Sequence, residues 1–317
     1  TLSISETSPI AKILEGVPYS GYSIFTGTRG ENRKAIIEIH DKWRVRLFVK
    51  IALTKTAKAL VVNEVEKLSY LNKLSFKKMI VPEVLSSDKS MGILSLSNIK
   101  PQWYSQRSGI TKLHVQAISE LYLISHTKKK WGDLYSLQES KSKLKELLNG
   151  FDEVNNLNRG RVQGLANKIL SLIDIIDKQD AEVTVAIAHG DFTPWNMYCS
   201  KNVLYVFDWE LSQDNMPLIF DLIHFVFQSN ILIKRSCYAK IDQALKKLLK
   251  INESQNLIDK FNIDFNKNYL FYLIYNIAYY LDKYIRQKQL HEQAFWLIDV
   301  WEDAVDDALK KQGILFN

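Results

Sequence analysis

The fold is decided by eight residues near the middle of the 317-residue chain, His189-Gly190-Asp191-Phe192-Thr193-Pro194-Trp195-Asn196. A short, apolar and β-branched run, 183–188, precedes them and is typical of a buried strand. Pro194 keeps the stretch itself from becoming a helix. The sequence therefore predicts a buried strand that delivers Asp191 to a polar loop at its end.

A second carboxylate follows on a predicted hairpin. Two short strands after Asn196 are joined by a turn at 200–202, and the second strand ends at Asp208, twelve residues after Asn196. The ends of neighbouring strands can bring Asp191, Asn196 and Asp208 together, which a single helix could not. Phosphoryl transfer needs one carboxylate for the hydroxyl proton, and an amide and a second carboxylate for metal ions. The alternative, a polar surface loop between core strands, is disfavoured by this spacing.

The pattern H-x-D-x-x-x-x-N, with Val206-Phe207-Asp208-Trp209-Glu210 after it, resembles the aminoglycoside phosphotransferase and choline kinase-like family. These are small-molecule kinases with a protein-kinase-like fold. The resemblance implies a bilobal α+β fold, with an N-terminal antiparallel sheet carrying one helix and a largely helical C-terminal lobe. It also implies Asp191 as catalytic base, Asn196 and Asp208 as Mg²⁺ ligands, and His189 as a structural brace. Asp221, at the start of an apolar helix, is expected to support the loop or the helix N-terminus rather than to act in catalysis.

A glycine-containing link joins the first two predicted strands, 22–26 and 34–39. Gly27 and Gly30 in this link would allow the backbone to approach nucleotide phosphates. An ordinary hairpin loop is the alternative. The position of the link before a third strand favours the phosphate-binding interpretation.

The third predicted strand, 44–50, has two faces. Strand alternation predicts a core face with Val45, Leu47 and Val49, and a nucleotide face with Arg46, Phe48 and Lys50. Lys50 would reach the phosphates, and Phe48 would lie nearer the base.

A buried partner for Lys50 is predicted on the following helix. Glu64 precedes Leu68 and Leu71 by four and seven residues, which places it at the edge of the buried helix face. A buried carboxylate requires a partner, so we predict a Lys50–Glu64 ion pair that anchors phosphate, rather than two unrelated surface charges.

The predicted lobe boundary follows the last strand of the sheet. Backbone groups near Leu96 and Asn98 would meet the nucleotide base, and no side chain distinguishes ATP from GTP. We expect a nucleotide-binding lobe at 1–97 and a catalytic and acceptor-binding lobe at 98–317.

The charge distribution supports this division. Residues 1–100 carry 16 Lys and Arg against 9 Asp and Glu, whereas the rest of the chain carries 26 of each. A lobe that faces a polyphosphate explains the excess more economically than nucleic-acid binding, although a solvated basic surface is the alternative. We therefore predict no nucleic-acid partner.

Composition also bears on the compartment and the membrane. The two cysteines form no disulfide framework, and no signal-peptide pattern opens the sequence, so a cytoplasmic enzyme is predicted. The longest apolar stretch, 269–281, is too short and too rich in Tyr for a membrane span, and is interpreted as a buried helix.

The acceptor should bind among the C-terminal helices. The acidic face of the last helix is either a solvated face or a wall for a cationic acceptor, with Glu210 as a further candidate contact. The Tyr and Trp residues of 269–301 are either core or a cage for an amine or a sugar. We favour the hydroxyl of a sugar, aminoglycoside or glycan over choline or an amino alcohol; the oligomeric state is left open.

Two other functions are considered. An atypical protein kinase is disfavoured because only twelve residues separate Asp208 from Asp221, too few for an activation segment and a peptide platform. A nucleotide-binding pseudokinase that acts as an interaction module is disfavoured because all five expected polar residues are present.

Overall fold

The computed structural model describes residues 10–11, 14–27, 30–150, 159–177, 181–285 and 292–313. Within these residues the chain divides into two compact units. The first contains the chain up to Gln106 together with Trp195–Ser212, and the second contains Arg107–Pro194 and the chain from Gln213 onward.

The first unit is built on a five-stranded antiparallel sheet with the strand order β1-β2-β3-β6-β5. Its strands are β1 (Gly21–Thr26), β2 (Lys34–Asp41), β3 (Arg44–Ala52), β5 (Val84–Asp88) and β6 (Ile93–Ser97). A single helix, α1 (Lys55–Leu71), follows β3, and the Thr54 hydroxyl caps it by accepting a hydrogen bond from the backbone N–H of Ala57. The predicted sheet with one helix is confirmed.

A β-bulge in β3 corrects the predicted face of Val45. Leu47 and Val49 lie in the core with Ile37 and Ile39, as predicted. The pairing of β2 with β3 shifts between Ile39 and His40, which leaves one extra residue in β3 and reverses the alternation beyond it. The prediction for Val45 was therefore wrong, because the bulge turns its side chain to the face that carries Phe48 and Lys50.

The hairpin with Asp208 belongs to the first unit. It consists of β9 (Met197–Ser200) and β10 (Val203–Val206), joined by a turn with positive φ at Lys201 and Asn202. The strand β10 also pairs in parallel with β4 (Met79–Ile80), which ties the hairpin to the N-terminal part of the chain. The division at residue 97 stays a prediction, but residues 195–212 belong to the first compact unit and not to the second.

The second unit is mainly helical. Its helices are α2 (Lys112–Ser125), α3 (Tyr135–Gly150), α4 (Arg159–Asp177), α5 (Phe220–Gln228), α6 (Tyr238–Leu249), α7 (Asn252–Phe261), α8 (Phe265–Ile285) and α9 (Glu292–Lys311). A small sheet has the order β11-β8-β7 and comprises β7 (Thr127–Lys130), β8 (Glu182–Ala188) and β11 (Gln213–Pro217). Together with the first unit, this confirms the predicted α+β class.

Two elements of the second unit have no counterpart among the predictions from sequence. The basic run Lys128–Lys130 lies in the edge strand β7, where lysines discourage further pairing. Helix α7 was not predicted. The helix α8 is buried over most of its length, as expected for 269–281. Among the described helices, none has an apolar segment of the length that a bilayer crossing requires.

Candidate active site

The first unit contains a buried lysine between two carboxylates. Lys50 Nζ donates hydrogen bonds to both carboxylate oxygens of Glu64, at 2.9 and 2.7 Å, and to Asp208 Oδ1 at 2.6 Å. Glu64 is fully buried and Lys50 is only 7% exposed, whereas the Asp208 side chain keeps 35% of its surface. The predicted Lys50–Glu64 pair is thus present, and Asp208 is its third member.

Charge stabilises this cluster against the cost of burial. Burial alone lowers the pKa of Lys50, but the carboxylates of Asp208 and Glu64 outweigh it and hold that pKa above its usual value. Burial raises the pKa of Glu64, and the Lys50 ammonium opposes that shift. The backbone N–H of Trp209 also donates to Glu64 Oε1 at 3.2 Å. Lys50 therefore remains a cation in the cleft.

The backbone at Asp208 has a conformation that is uncommon for residues other than glycine. Asp208 lies directly after the Phe207 that follows β10 and adopts the left-handed region, with φ 66° and ψ 59°. Phe207 N donates to Asn196 O at 3.0 Å, and the Asn196 side chain is nearly buried. Asn196 and Asp208 are therefore neighbours in the same unit, at one end of the hairpin.

Glu210, named above as a candidate acceptor contact, is paired within the first unit. It forms an ion pair with Lys34, at the start of β2, so it is not presented to an acceptor as an unpaired carboxylate. Asn63 Nδ2 donates to the carbonyl oxygens of Glu210 and Ser212, both at 2.9 Å, and fastens this segment to α1. Carboxylate oxygens of Glu64, Asp208 and Glu210 lie within 4.8 Å of one another. Oxygen ligands of this kind suit a hard divalent cation.

A cleft of about 300 Å³ opens beside Lys50. Its described lining residues come from β2, β3, the 96–100 segment and the hairpin: Ile36, Glu38, Val45, Phe48, Lys50, Pro82, Leu96, Ser97, Asn98, Ile99, Lys100, Tyr198, Phe207 and Asp208. Phe48, Leu96 and Asn98, all predicted to contact nucleotide, are among them. The Asn98 side chain donates to Val45 O at 2.8 Å and so braces the bulged part of β3.

The link between β1 and β2 leaves space for side chains at both of its glycines. A Cβ at Gly27 would meet its nearest neighbour, Lys34 O, at 3.7 Å, and one at Gly30 would meet nothing within 4 Å. Thr28 and Arg29 between them lie outside the described residues. Neither glycine is required by local packing, so their approach to phosphate stays a prediction.

The second unit holds the Asp191 loop on a buried carboxylate. Asp221, fully buried in the first turn of α5, accepts from the backbone N–H groups of His189 at 2.8 Å and Gly190 at 3.1 Å. Burial raises the pKa of Asp221, and the His189 ring and these two N–H groups lower it in part. Gly190 has φ 83°, a conformation that favours glycine. The loop is thus supported from α5, as the sequence indicated for Asp221.

His189 and His224 contact Asp191 from two sides. His189 Nδ1 accepts from Asp191 N at 3.2 Å, in keeping with a structural role. His224 Nε2 lies 3.2 Å from Asp191 Oδ1, and sequence reasoning missed it. The available signal was a second ionisable residue within the otherwise apolar segment Phe220–Phe227, three positions after Asp221. The Asp191 carboxylate remains 27% exposed, so a small molecule can reach it.

Most of the proposed acceptor contacts in the last helix are occupied within the protein. On α9, Asp299 and Glu302 pair with Arg161, and Asp306 pairs with Lys168. These pairs join α9 to α4, while Asp299 and Asp306 remain more than half exposed. The aromatic residues of α8 and α9 mostly contact one another, as for the half-buried Tyr280 and the buried Trp301 at 5.7 Å between ring centroids.

Comparison with solved structures shows the same fold over nearly the whole chain. No family model and no curated protein sequence matches the chain. Choline kinase LicA from Streptococcus pneumoniae is 16% identical with a TM-score of 0.60, over 95% of this chain and 98% of that one. APH(2")-IIia in complex with GDP and kanamycin is 12% identical with a TM-score of 0.54, over 96% and 98%. Amicoumacin kinase hAmiN, bound to AMP-PNP and Ca²⁺, is 10% identical with a TM-score of 0.53, over 95% and 94%. The fold that the resemblance implied is confirmed.

Proposed function

We propose that this protein is a kinase that transfers the γ-phosphate of ATP or GTP to a hydroxyl group of a small molecule. The observation that carries the proposal is Lys50, buried between Glu64 and Asp208 and open to the cleft. A cation fixed in this way is suited to grip nucleotide phosphates. The fold shared with three small-molecule kinase structures supports the same activity.

The proposed reaction uses Asp191 as the base. The acceptor hydroxyl attacks the γ-phosphorus, a new O–P bond forms, and the bond from the γ-phosphorus to the bridging oxygen breaks. The hydroxyl proton passes to the Asp191 carboxylate, and the products are a phosphomonoester and a nucleoside diphosphate. Lys50 neutralises phosphate charge, and Glu64 keeps it in place.

Asn196 and Asp208 would hold Mg²⁺. The residues fit this ion because an amide oxygen and a carboxylate are hard ligands, and the Asp208 side chain remains partly exposed. Bound Mg²⁺ would neutralise developing charge on the phosphate oxygens. The ATP analogue and Ca²⁺ in the amicoumacin kinase complex, and GDP in the APH(2")-IIia complex, support a nucleotide and a divalent cation in general.

For the acceptor, we propose a sugar, glycan or aminoglycoside hydroxyl. The pairing of Asp299, Glu302 and Asp306 with basic residues partly neutralises the acidic face that a strongly cationic acceptor would have used. This favours a neutral sugar within that class. Choline is the second candidate, favoured by the likeness to choline kinase LicA.

A coupled screen tests the function. Thermal shift with a non-hydrolysable ATP or GTP analogue and Mg²⁺ would select among glucosamine, glucose, kanamycin and choline, and radiolabelled γ-phosphate would then report transfer. We expect incorporation into at least one sugar-type acceptor. Incorporation into a protein substrate alone would support an atypical protein kinase. Tight nucleotide binding without transfer to any acceptor, or to water, would support a pseudokinase.

A further inference from the structure

His224 touches the proposed catalytic base from inside the helical unit. It lies on α5 and is only 3% exposed, and its Nε2 is 3.2 Å from Asp191 Oδ1. On the other side of the ring, Nδ1 lies 3.5 Å from the hydroxyl of Tyr272 on α8, which is fully buried. The three side chains form a line from the core to the Asp191 carboxylate.

The partners of His224 fix which nitrogen carries a proton. An ionised carboxylate only accepts hydrogen bonds, so Nε2 must donate to Asp191. The Tyr272 hydroxyl can donate to Nδ1, which then needs no proton of its own. A ring with the proton on Nε2 therefore satisfies both contacts.

Packing holds the ring in this orientation. The His224 ring stacks on Phe220, with centroids 6.0 Å apart and planes 10° from parallel. Tyr272 meets the ring edge-on at a centroid distance of 6.0 Å. Because the His224 ring is packed on its face and its edge, it keeps one rotamer. Its hydrogen bond can therefore fix the rotation of the Asp191 carboxylate.

We infer that His224 is a positioning residue that orients the Asp191 carboxylate for the acceptor hydroxyl. The inference rests on the proposed kinase function. Helix α5 then supports the loop twice, because Asp221 holds the backbone of His189 and Gly190 while His224 holds the carboxylate. Orientation matters since a displacement of about 1 Å can cost roughly 100-fold in rate.

The competing explanation is a core histidine that simply satisfies its hydrogen bonds. Such a residue would affect stability, and its loss would lower the amount of folded protein without changing turnover per folded molecule. The two explanations predict different kcat values for a variant that lacks the His224 ring. They also differ on whether glutamine at position 224, whose amide nitrogen can take the position of Nε2, restores that kcat.

The first test measures the contact without any acceptor. Nitrogen-15 NMR of the histidine side chains in the full chain should show His224 as the Nε2–H tautomer, and Asp191→Ala should shift its signals. The signals of His126, whose Nδ1 instead contacts Tyr122 O, should not move. An Nδ1–H tautomer for His224, or no response to Asp191→Ala, would overturn the inference even if the protein is a kinase.

The second test measures the consequence for turnover, using the best acceptor from the screen. His224→Leu should lower kcat roughly 10- to 100-fold while the KM for nucleotide changes less than about threefold. His224→Gln should recover most of the loss, and His126→Leu should leave kcat unchanged. Equal kcat in His224→Leu and the parent protein, or no recovery in a folded His224→Gln, would contradict the inference. A parent protein without kinase activity would instead refute the proposed function and leave the NMR result to decide on the contact.

Discussion

At the residue scale, the sequence was enough to predict the pairing of two of the three members of the Lys50–Glu64–Asp208 cluster. The spacing of Glu64 from Leu68 and Leu71 was enough to predict a buried carboxylate, and the need for a partner identified Lys50. The third member, Asp208, could be assigned only a metal role, because its approach to Lys50 joins positions 158 residues apart and depends on tertiary packing. The contact of His224 with Asp191 was not predicted for the same reason. Nothing in the local sequence distinguishes a core histidine from one that contacts such a carboxylate.

The Lys50 cluster predicts a stability effect. Lys50→Met should lower the free energy of unfolding by about 3 kcal/mol, because it leaves the Glu64 carboxylate charged and fully buried. The double variant Lys50→Met with Glu64→Gln should be less destabilised, since no buried charge then remains. Urea denaturation of the purified variants measures both.

An exposed ion pair that joins the same helix to the turn after β5 provides the control. Lys89 pairs with Glu66, and both side chains are more than half exposed. Lys89→Met should change the free energy of unfolding by less than about 0.5 kcal/mol. A Lys50→Met variant as stable as Lys89→Met would show that the cluster does not carry a buried charge.

At the scale of elements, helices and strands were mostly predictable and their irregularities were not. Apolar periodicity found most of the long helices, but not α7, whose ten residues carry few buried positions. The bulge in β3 depends on the pairing with β2, so alternation within β3 alone misplaced Val45. The strand β7 could not be predicted because all four of its residues are exposed, so no apolar alternation marks it.

The N-terminus of α2 predicts a pH-dependent stability. His114 is buried there, and its Nδ1 accepts from Thr111 in a capping box. Burial lowers the pKa of His114 to about 4, which the bond with Thr111 opposes in part. The unfolded chain, with an ordinary histidine pKa near 6.5, therefore binds the proton more readily than the folded one.

The lower pKa of His114 in the folded state determines how stability changes with pH. The stability from His114 is complete above about pH 6.5 and should be lost as the pH falls toward 4, by up to roughly 3 kcal/mol. His114→Leu should be less stable at neutral pH, because the cap is lost, and should show a flatter decline below pH 6.5. Chemical denaturation from pH 7.5 to 4.5 measures the slopes, and parallel curves for the two proteins would refute the assignment.

At the scale of the whole molecule, the fold was predictable from one stretch, but the acceptor was not. The loop and hairpin around Asp191 and Asp208 are short and adjacent in sequence, so their pattern can be recognised in this chain although its overall identity to the compared structures is only 10–16%. We proposed the acceptor from charge and fold likeness alone, because no local sequence pattern identifies it. The pairs that α9 forms with Arg161 and Lys168 illustrate this, because they decide the availability of its acidic face.

The measurement that tests the central claim most directly is phosphate transfer by Asp191→Ala, with nucleotide affinity determined on the same preparation. Asp208→Ala serves as the matched comparison. We expect Asp191→Ala to bind Mg²⁺-nucleotide within about threefold of the parent protein and to lose transfer by at least roughly 100-fold. Asp208→Ala should weaken Mg²⁺-nucleotide binding itself. Transfer retained by Asp191→Ala would contradict the account, because no other residue is assigned to accept the hydroxyl proton.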